Sequence, residues 1–270
     1  MSDRVTCTID AGVADVRLAR PDKINALDQA MFDALIEVGE SLKADRTVRA
    51  VVLSGQGRGF CAGLDFGAFQ AMAGGGRATS TPRLDLGSSE GRITNRGQHA
   101  AWVWQEVPAP VIAAVHGVAL GGGLQIALGA DIRIVAPDAR LSVLEVKWGL
   151  VPDMTGTQML PRLVGLDVAK ELTFTGRMVS GEEAVRLGLA TRVSEAPLDD
   201  ATALARELAS KSPQAVQGAK ALLNLAGQVS LADGFKAEER TISGLIGSPN
   251  QVESVMASFE KREPVFADPS

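Results

Sequence analysis

The chain has 270 residues, 46% of them hydrophobic and 22% charged, with a formal net charge of −5. That length can bury a sizeable core, the composition is that of an ordinary soluble globular protein, and the acidic balance argues against a nucleic-acid-binding surface. Two cysteines, Cys7 and Cys61, lie too far apart to form a metal-ligand pattern, and no metal is expected. No run of about 18 apolar residues is present, so no membrane span is expected. The N-terminus lacks a secretory signal, and the expectation is a cytoplasmic, reduced protein.

In chain order, Thr6 to Ile9 and Val13 to Leu18 alternate around Asp10-Ala11-Gly12 and predict a β-hairpin. Asp28 to Leu42 carries Met31, Leu35, Val38 and Leu42 at helical spacing and predicts an amphipathic helix. Strands are expected at 50–54, 111–115, 131–136 and 190–194, with helices between them, an α/β layer arrangement. Residues 73–95 break this pattern with Gly74-Gly75-Gly76 followed by Ser, Thr, Pro and Arg, and read as a loop. It is either a substrate lid or a connector. Trp102 and Trp104 sit two apart on an expected helix and therefore point to different faces. Ser180-Gly181-Glu182-Glu183 fits a capping box opening a helix that ends near Gly188. From about 199 the chain reads as helical to its end, with Ser212-Pro213 as a cap before a first-turn proline.

Two stretches carry a chemical signal. Phe60-Cys61-Ala62-Gly63-Leu64-Asp65 follows the apolar run Val51-Val52-Leu53. His116-Gly117-Val118-Ala119-Leu120-Gly121-Gly122-Gly123-Leu124-Gln125 follows Val111-Ile112-Ala113-Ala114-Val115. Each reads as a strand running into a Gly-containing turn that opens a helix, where the first N–H groups have no internal partner. By position, Leu64 and Gly122 supply two such N–H groups, and two converging donors stabilise an enolate or a tetrahedral oxyanion. No P-loop, dinucleotide fingerprint or nucleophile elbow is spelled by these glycines and serines. Cys61, inside the first turn, reads as a small buried thiol. His116 and His99 read as core or turn residues, since no Asp is spaced for a triad.

These stretches, together with Arg20-Pro21-Asp22-Lys23-Ile24-Asn25-Ala26-Leu27, Glu145 to Gln158, Leu172-Thr173-Phe174-Thr175-Gly176, Ala184 to Leu189 and Phe259-Glu260-Lys261-Arg262, resemble the crotonase (enoyl-CoA hydratase/isomerase) superfamily. The resemblance covers nearly the whole chain apart from the insertion near 73–95. It implies an α/β fold, a spiral of ββα repeats over 1–198, with a C-terminal helical oligomerisation region over 199–270 that builds trimers or hexamers. It also implies a coenzyme A thioester as substrate, so coenzyme A is part of the substrate and no separate cofactor is expected. By the same resemblance Lys23, Ala26, Ala62 and Asp65 lie where the family binds coenzyme A, and Lys261 reaches the phosphates of a neighbouring subunit's ligand.

The acid–base groups decide the reaction. A hydratase of this family uses two glutamates, and the position of one is Gln125 here, which cannot exchange a proton near neutral pH but can orient substrate or water. The other matches Glu145. Asp153, eight residues further on, matches a catalytic aspartate of dienoyl-CoA isomerases, which usually carry another aspartate at the position of Gln125. Two carboxylates along an acyl pocket suit the removal of a proton at one end of a diene and its return at the other. The expectation is therefore isomerisation of an enoyl- or dienoyl-CoA, with Leu64, Gly122, Glu145 and Asp153 catalytic. The alternatives are an enoyl-CoA hydratase running on Glu145, and a non-catalytic acyl-CoA binder. The bland reading of Asp153 is a helix cap after Pro152, and of Glu145 a strand-end surface carboxylate.

Overall fold

The structure is a computed structural model, and it describes residues 3–65, 67 and 91–269. The lid stretch is therefore covered only at 91–95. Strands β1 (Val5–Asp10) and β2 (Val13–Leu18) form the expected hairpin, turning through Ala11 and Gly12. Helix α1 (Gln29–Ala44) starts where Asp28 accepts a hydrogen bond from Met31 N, which satisfies one of the first-turn donors. Next come β3 (Ala50–Gly55), α2 (Arg96–Glu106), β4 (Val111–Val115), β5 (Val118–Leu120) and α3 (Gly122–Leu128). Then follow β6 (Ile132–Val135), β7 (Arg140–Ser142), a 3₁₀ turn (Glu145–Trp148), α4 (Gly156–Val164), α5 (Leu166–Thr175), β8 (Val179–Ser180), α6 (Gly181–Leu187) and β9 (Arg192–Val193). Four helices complete the chain: α7 (Pro197–Ala209), α8 (Pro213–Leu225), α9 (Leu231–Leu245) and α10 (Pro249–Glu260).

A six-stranded sheet has the order β1-β2-β3-β4-β6-β9, parallel from β2 onward, and a three-stranded sheet has the order β5-β7-β8. The chain passes from the large sheet to the small one at β4→β5 and again at β6→β7, then returns at β8→β9. This shuttling is the spiral expected from the repeats. The central strands β3 and β4 are buried on both faces and read as continuous apolar runs. Val51 and Leu53 face the main core together with Val111, Ala113 and Val115. Ala50, Val52, Ile112 and Ala114 face a second core under α7. Ala201, Ala205 and Ala209 recur at four-residue spacing on α7 and let the helix approach that face closely.

Two local expectations need correction. Ser180 caps α6 by accepting from Glu183 N, but the box is not reciprocal: the Glu183 carboxylate is taken by Arg177 at 2.8 Å. Ser212 precedes α8 without any side-chain cap. The reciprocal box belongs to α2, where Asn95 and Gln98 exchange bonds at 2.9 Å. Trp104 is fully buried and donates to Ala100 O, while Trp102 stays partly exposed, as their spacing requires.

Candidate active site

The two glycine turns lie side by side. Cys61 N donates to Val118 O at 2.9 Å and Leu120 N donates to Cys61 O at 3.0 Å, so the first turn runs as an extra strand beside β5. Gly63, at φ +86°, sits so close to Leu120 that a Cβ would lie 2.6 Å from the Leu120 carbonyl oxygen and 3.8 Å from Gly122 N. Only glycine meets both demands. Gly121, at φ +51°, turns β5 into α3. Among the described residues, neither Leu64 N–H nor Gly122 N–H is engaged by a protein acceptor. The segment after Asp65, expected to open a helix, lies almost wholly outside the described residues. Cys61 is buried and burial pushes its thiol up to about 12, which keeps it a neutral packing group.

Both turns open into a cavity of about 220 Å³. Leu27, Phe32, Leu64, Leu144, Leu150 and Met154 make it largely apolar, and Gln125, Glu145 and Asp153 supply its polar groups. Glu145 is buried at the start of the 3₁₀ turn and is no surface carboxylate. Its Oε1 accepts from Gln125 Nε2 at 2.6 Å, and its Oε2 is buried with no hydrogen-bond partner. Burial raises its pKa, the charge of Asp153 raises it further, and the hydrogen bonds from its own backbone and from Gln125 work the other way. Asp153 is no helix cap: α4 begins at Gly156, after Thr155. It is exposed at the cavity rim, yet desolvation by the surrounding walls raises its pKa as well.

Asp153 also lines a second, larger chamber of about 680 Å³, walled by Trp102, Asn95, Gln98, Gln158 and Arg162 among others. The partly exposed tryptophan thus lines a chamber next to the reaction cavity.

The residues expected near coenzyme A lie together at the outer edge of the first turn. Lys23 is exposed on a short 3₁₀ turn, and Ala62 N donates to Ile24 O. Ala26 O and Asp65 Oδ2 are both held by Arg20 Nη1, at 3.1 Å and 2.7 Å. Burial works against the Asp65 charge, but the Gly67 N–H and Arg20 outweigh it and hold the carboxyl below its ordinary value. Arg20 organises this corner and was not singled out by sequence reasoning. Its one sequence signal is its place at the head of the Arg20 to Leu27 segment. Lys261 is exposed at the end of α10 and does not line the cavity.

The histidines do no work at this site. His116 Nε2 meets Gly57 O at 2.9 Å, and buried His99 lies between Glu40 and Thr94. Glu40, His99 and Glu106 come close enough to hold an ion, but Lys43 already bridges the two glutamates.

Comparison with known proteins agrees with this geometry. The family model described as enoyl-CoA hydratase/isomerase matches residues 8–269. A Bacillus subtilis (strain 168) protein named probable enoyl-CoA hydratase is 33% identical over 265 residues, covering 97% of this chain and 98% of its own. The peroxisomal Delta(3,5)-Delta(2,4)-dienoyl-CoA isomerase of Arabidopsis thaliana is 35% identical over 264 residues, covering 96% of this chain and 94% of its own. The crystal structure of an enoyl-CoA hydratase from Bacillus anthracis superposes with a TM-score of 0.86 at 31% identity, over 97% of this chain and 98% of that one. With the spiral fold and the paired glycine turns, these matches establish that the chain belongs to the enoyl-CoA hydratase/isomerase family, the crotonase superfamily.

Proposed function

We propose that this enzyme shifts the double bonds of a dienoyl-CoA. The Leu64 and Gly122 N–H groups donate to the thioester oxygen. The Glu145 carboxylate removes a proton from C2 of a 3,5-dienoyl group. The C–H electron pair spreads through the diene as an enolate stabilised at the thioester oxygen. Protonated Asp153 then delivers a proton to C6, leaving double bonds at C2 and C4. Proton exchange with solvent resets both carboxyls.

The observation that carries this reading is the placement of Asp153. It lies at the junction of the two cavities, while Glu145 is buried beside the glycine turns, within reach of Gly121. An acyl chain anchored at the turns passes Glu145 first and Asp153 second. Raised carboxyl pKa values suit a base and an acid that work near neutral pH.

Hydration is the second reading. Glu145 lines the cavity beside the glycine turns, where in hydration it would take the proton of the attacking water. Incubation with a 3,5-dienoyl-CoA and with crotonyl-CoA separates the two. Isomerisation conserves mass and moves the ultraviolet chromophore, and hydration adds the mass of water. Water addition to crotonyl-CoA with an untouched diene overturns the isomerase reading.

Coenzyme A recognition is assigned to the main chain at Ala26 and Ala62, to the Asp65–Arg20 corner and to Lys23. Lys261 reaches the ligand of a neighbouring copy in a trimer or hexamer. Exposed Leu223, Phe235, Ile242 and Phe259 on the C-terminal helices support such an assembly.

A further inference from the structure

Gln125 stands where the sequence placed a residue that orients substrate or water, but its bonds run elsewhere. The residue is 2% exposed. Its Oε1 accepts two main-chain bonds, from Met154 N at 2.9 Å and from Gly156 N at 2.8 Å. That commits the amide orientation, because an oxygen receiving two donors cannot be the NH₂ group. Nε2 therefore faces Glu145 Oε1, at 2.6 Å. The two donors flank Thr155, a β-branched residue held at φ +75°, a conformation that needs support from its surroundings. Gly156 makes the approach possible, since a Cβ there would lie 2.6 Å from Gln125 Oε1.

We infer that Gln125 is a positioning residue: it straps Glu145 to the turn that carries Asp153, fixes the spacing of the two carboxyls, and holds the Glu145 carboxyl in one orientation through Oε1. The inference rests on the reading above only in making Glu145 a proton carrier, which isomerisation and hydration share. It gives the missing hydratase glutamate a positive meaning. A second carboxylate at this place would both lose the donor to Glu145 and set a like charge beside it. Among the described residues, Asp153 is the charged group acting on Glu145, so the balance there is set by burial, the hydrogen bond from its own backbone, Gln125 and Asp153.

Two variants separate the ends of the strap. Gln125→Met removes both. Gln125→Glu keeps the acceptor for Met154 and Gly156 but replaces the donor to Glu145 with a negative oxygen. The readouts are the Glu145 protonation midpoint, from infrared difference titration with Glu145→Gln identifying the band, and kcat with KM on the dienoyl-CoA. In both variants the midpoint should rise. For Gln125→Met, kcat should fall roughly tenfold to a hundredfold, a loss of alignment more than of binding. Affinity for a saturated acyl-CoA should stay within about threefold, because the thioester is held by main chain. A folded Gln125→Met enzyme with the parental midpoint and kcat overturns the inference. If that variant does not fold, an unchanged midpoint in Gln125→Glu overturns it equally. A wild-type enzyme inert toward the diene would defeat the isomerase reading alone, and the titration would still decide the strap.

Discussion

At the scale of single residues, Glu145 and Asp153 are held in a state that resists their charge. For Glu145 the folded pKa is raised above its unfolded value, chiefly by burial. Its contribution to stability is therefore fully present below the unfolded value, about 4.3, and is lost as pH rises through the folded value. Above that folded value the ionised carboxylate is a stability cost, which the proposed chemistry would explain. Glu145→Gln should abolish either reaction, lowering kcat by at least about a hundredfold, while thermal melting at pH 7 shows no loss of stability. A variant that melts lower would show that the carboxylate is structural. Asp153→Asn should cut diene turnover by a similar factor with thioester affinity nearly unchanged. Undiminished diene isomerisation by that variant would return hydration to first place. The acid limb of the kcat/KM profile should lie above the ordinary glutamate value, since activity is lost as falling pH protonates Glu145.

At the scale of elements, the glycine turns and α8 show two kinds of dependence on backbone. Gly63→Ala would force a Cβ to within 2.6 Å of Leu120 O at positive φ. It should weaken thioester binding and kcat together, unlike the carboxylate variants, and calorimetry with a saturated acyl-CoA reads this directly. Helix α8 is pinned by Lys220, which is 9% exposed and bonds Trp104 O and Ala109 O at 3.1 Å and Asp131 at 2.7 Å. Lys220→Met leaves half-buried Asp131 with the Val111 N–H, at 2.8 Å, in place of its ion pair, and denaturant unfolding should show a loss of roughly 1–3 kcal/mol. Pairing it with Asp131→Asn should recover part of that. Much of this was legible in the sequence. The strands, the hairpin, the helix from Asp28 and the two turns follow from local pattern, because apolar runs and glycines mark them directly. Lys220 and Arg20 were not legible as anchors. Their partners lie across the fold, and a charged residue on a helix or turn reads locally as a solvated one. The Gln125 strap was hidden for the same reason: its partners are main-chain N–H groups about thirty residues away, which carry no sequence signature.

At the scale of the whole molecule, the chain divides unevenly between buried and exposed apolar surface. Helix α7 completes the second core, whereas α8 to α10 leave Leu223, Phe235, Ile242, Met256 and Phe259 exposed, Phe259 by 80%. Leu222 is only partly covered and Leu225 is exposed in the single chain, and the proposed trimer or hexamer would supply the rest of their burial. Light scattering should give the mass of three or six chains at micromolar concentration. Phe259→Glu or Phe235→Glu should shift the population toward smaller species. A stable monomer would contradict the assembly and remove Lys261 from the ligand's reach.

The side-by-side glycine turns have a consequence for the enzyme in a crowded acyl-CoA pool. In the proposed reaction their N–H groups meet the thioester oxygen, which every acyl-CoA carries, and take no account of where the double bonds lie. Saturated and unreactive thioesters that fit the cavity must therefore occupy the same seat as the substrate. They should act as competitive inhibitors with constants close to the substrate's own affinity. The rate of this enzyme would then follow the fraction of the pool that is unsaturated at the right carbons as well as the amount of substrate present.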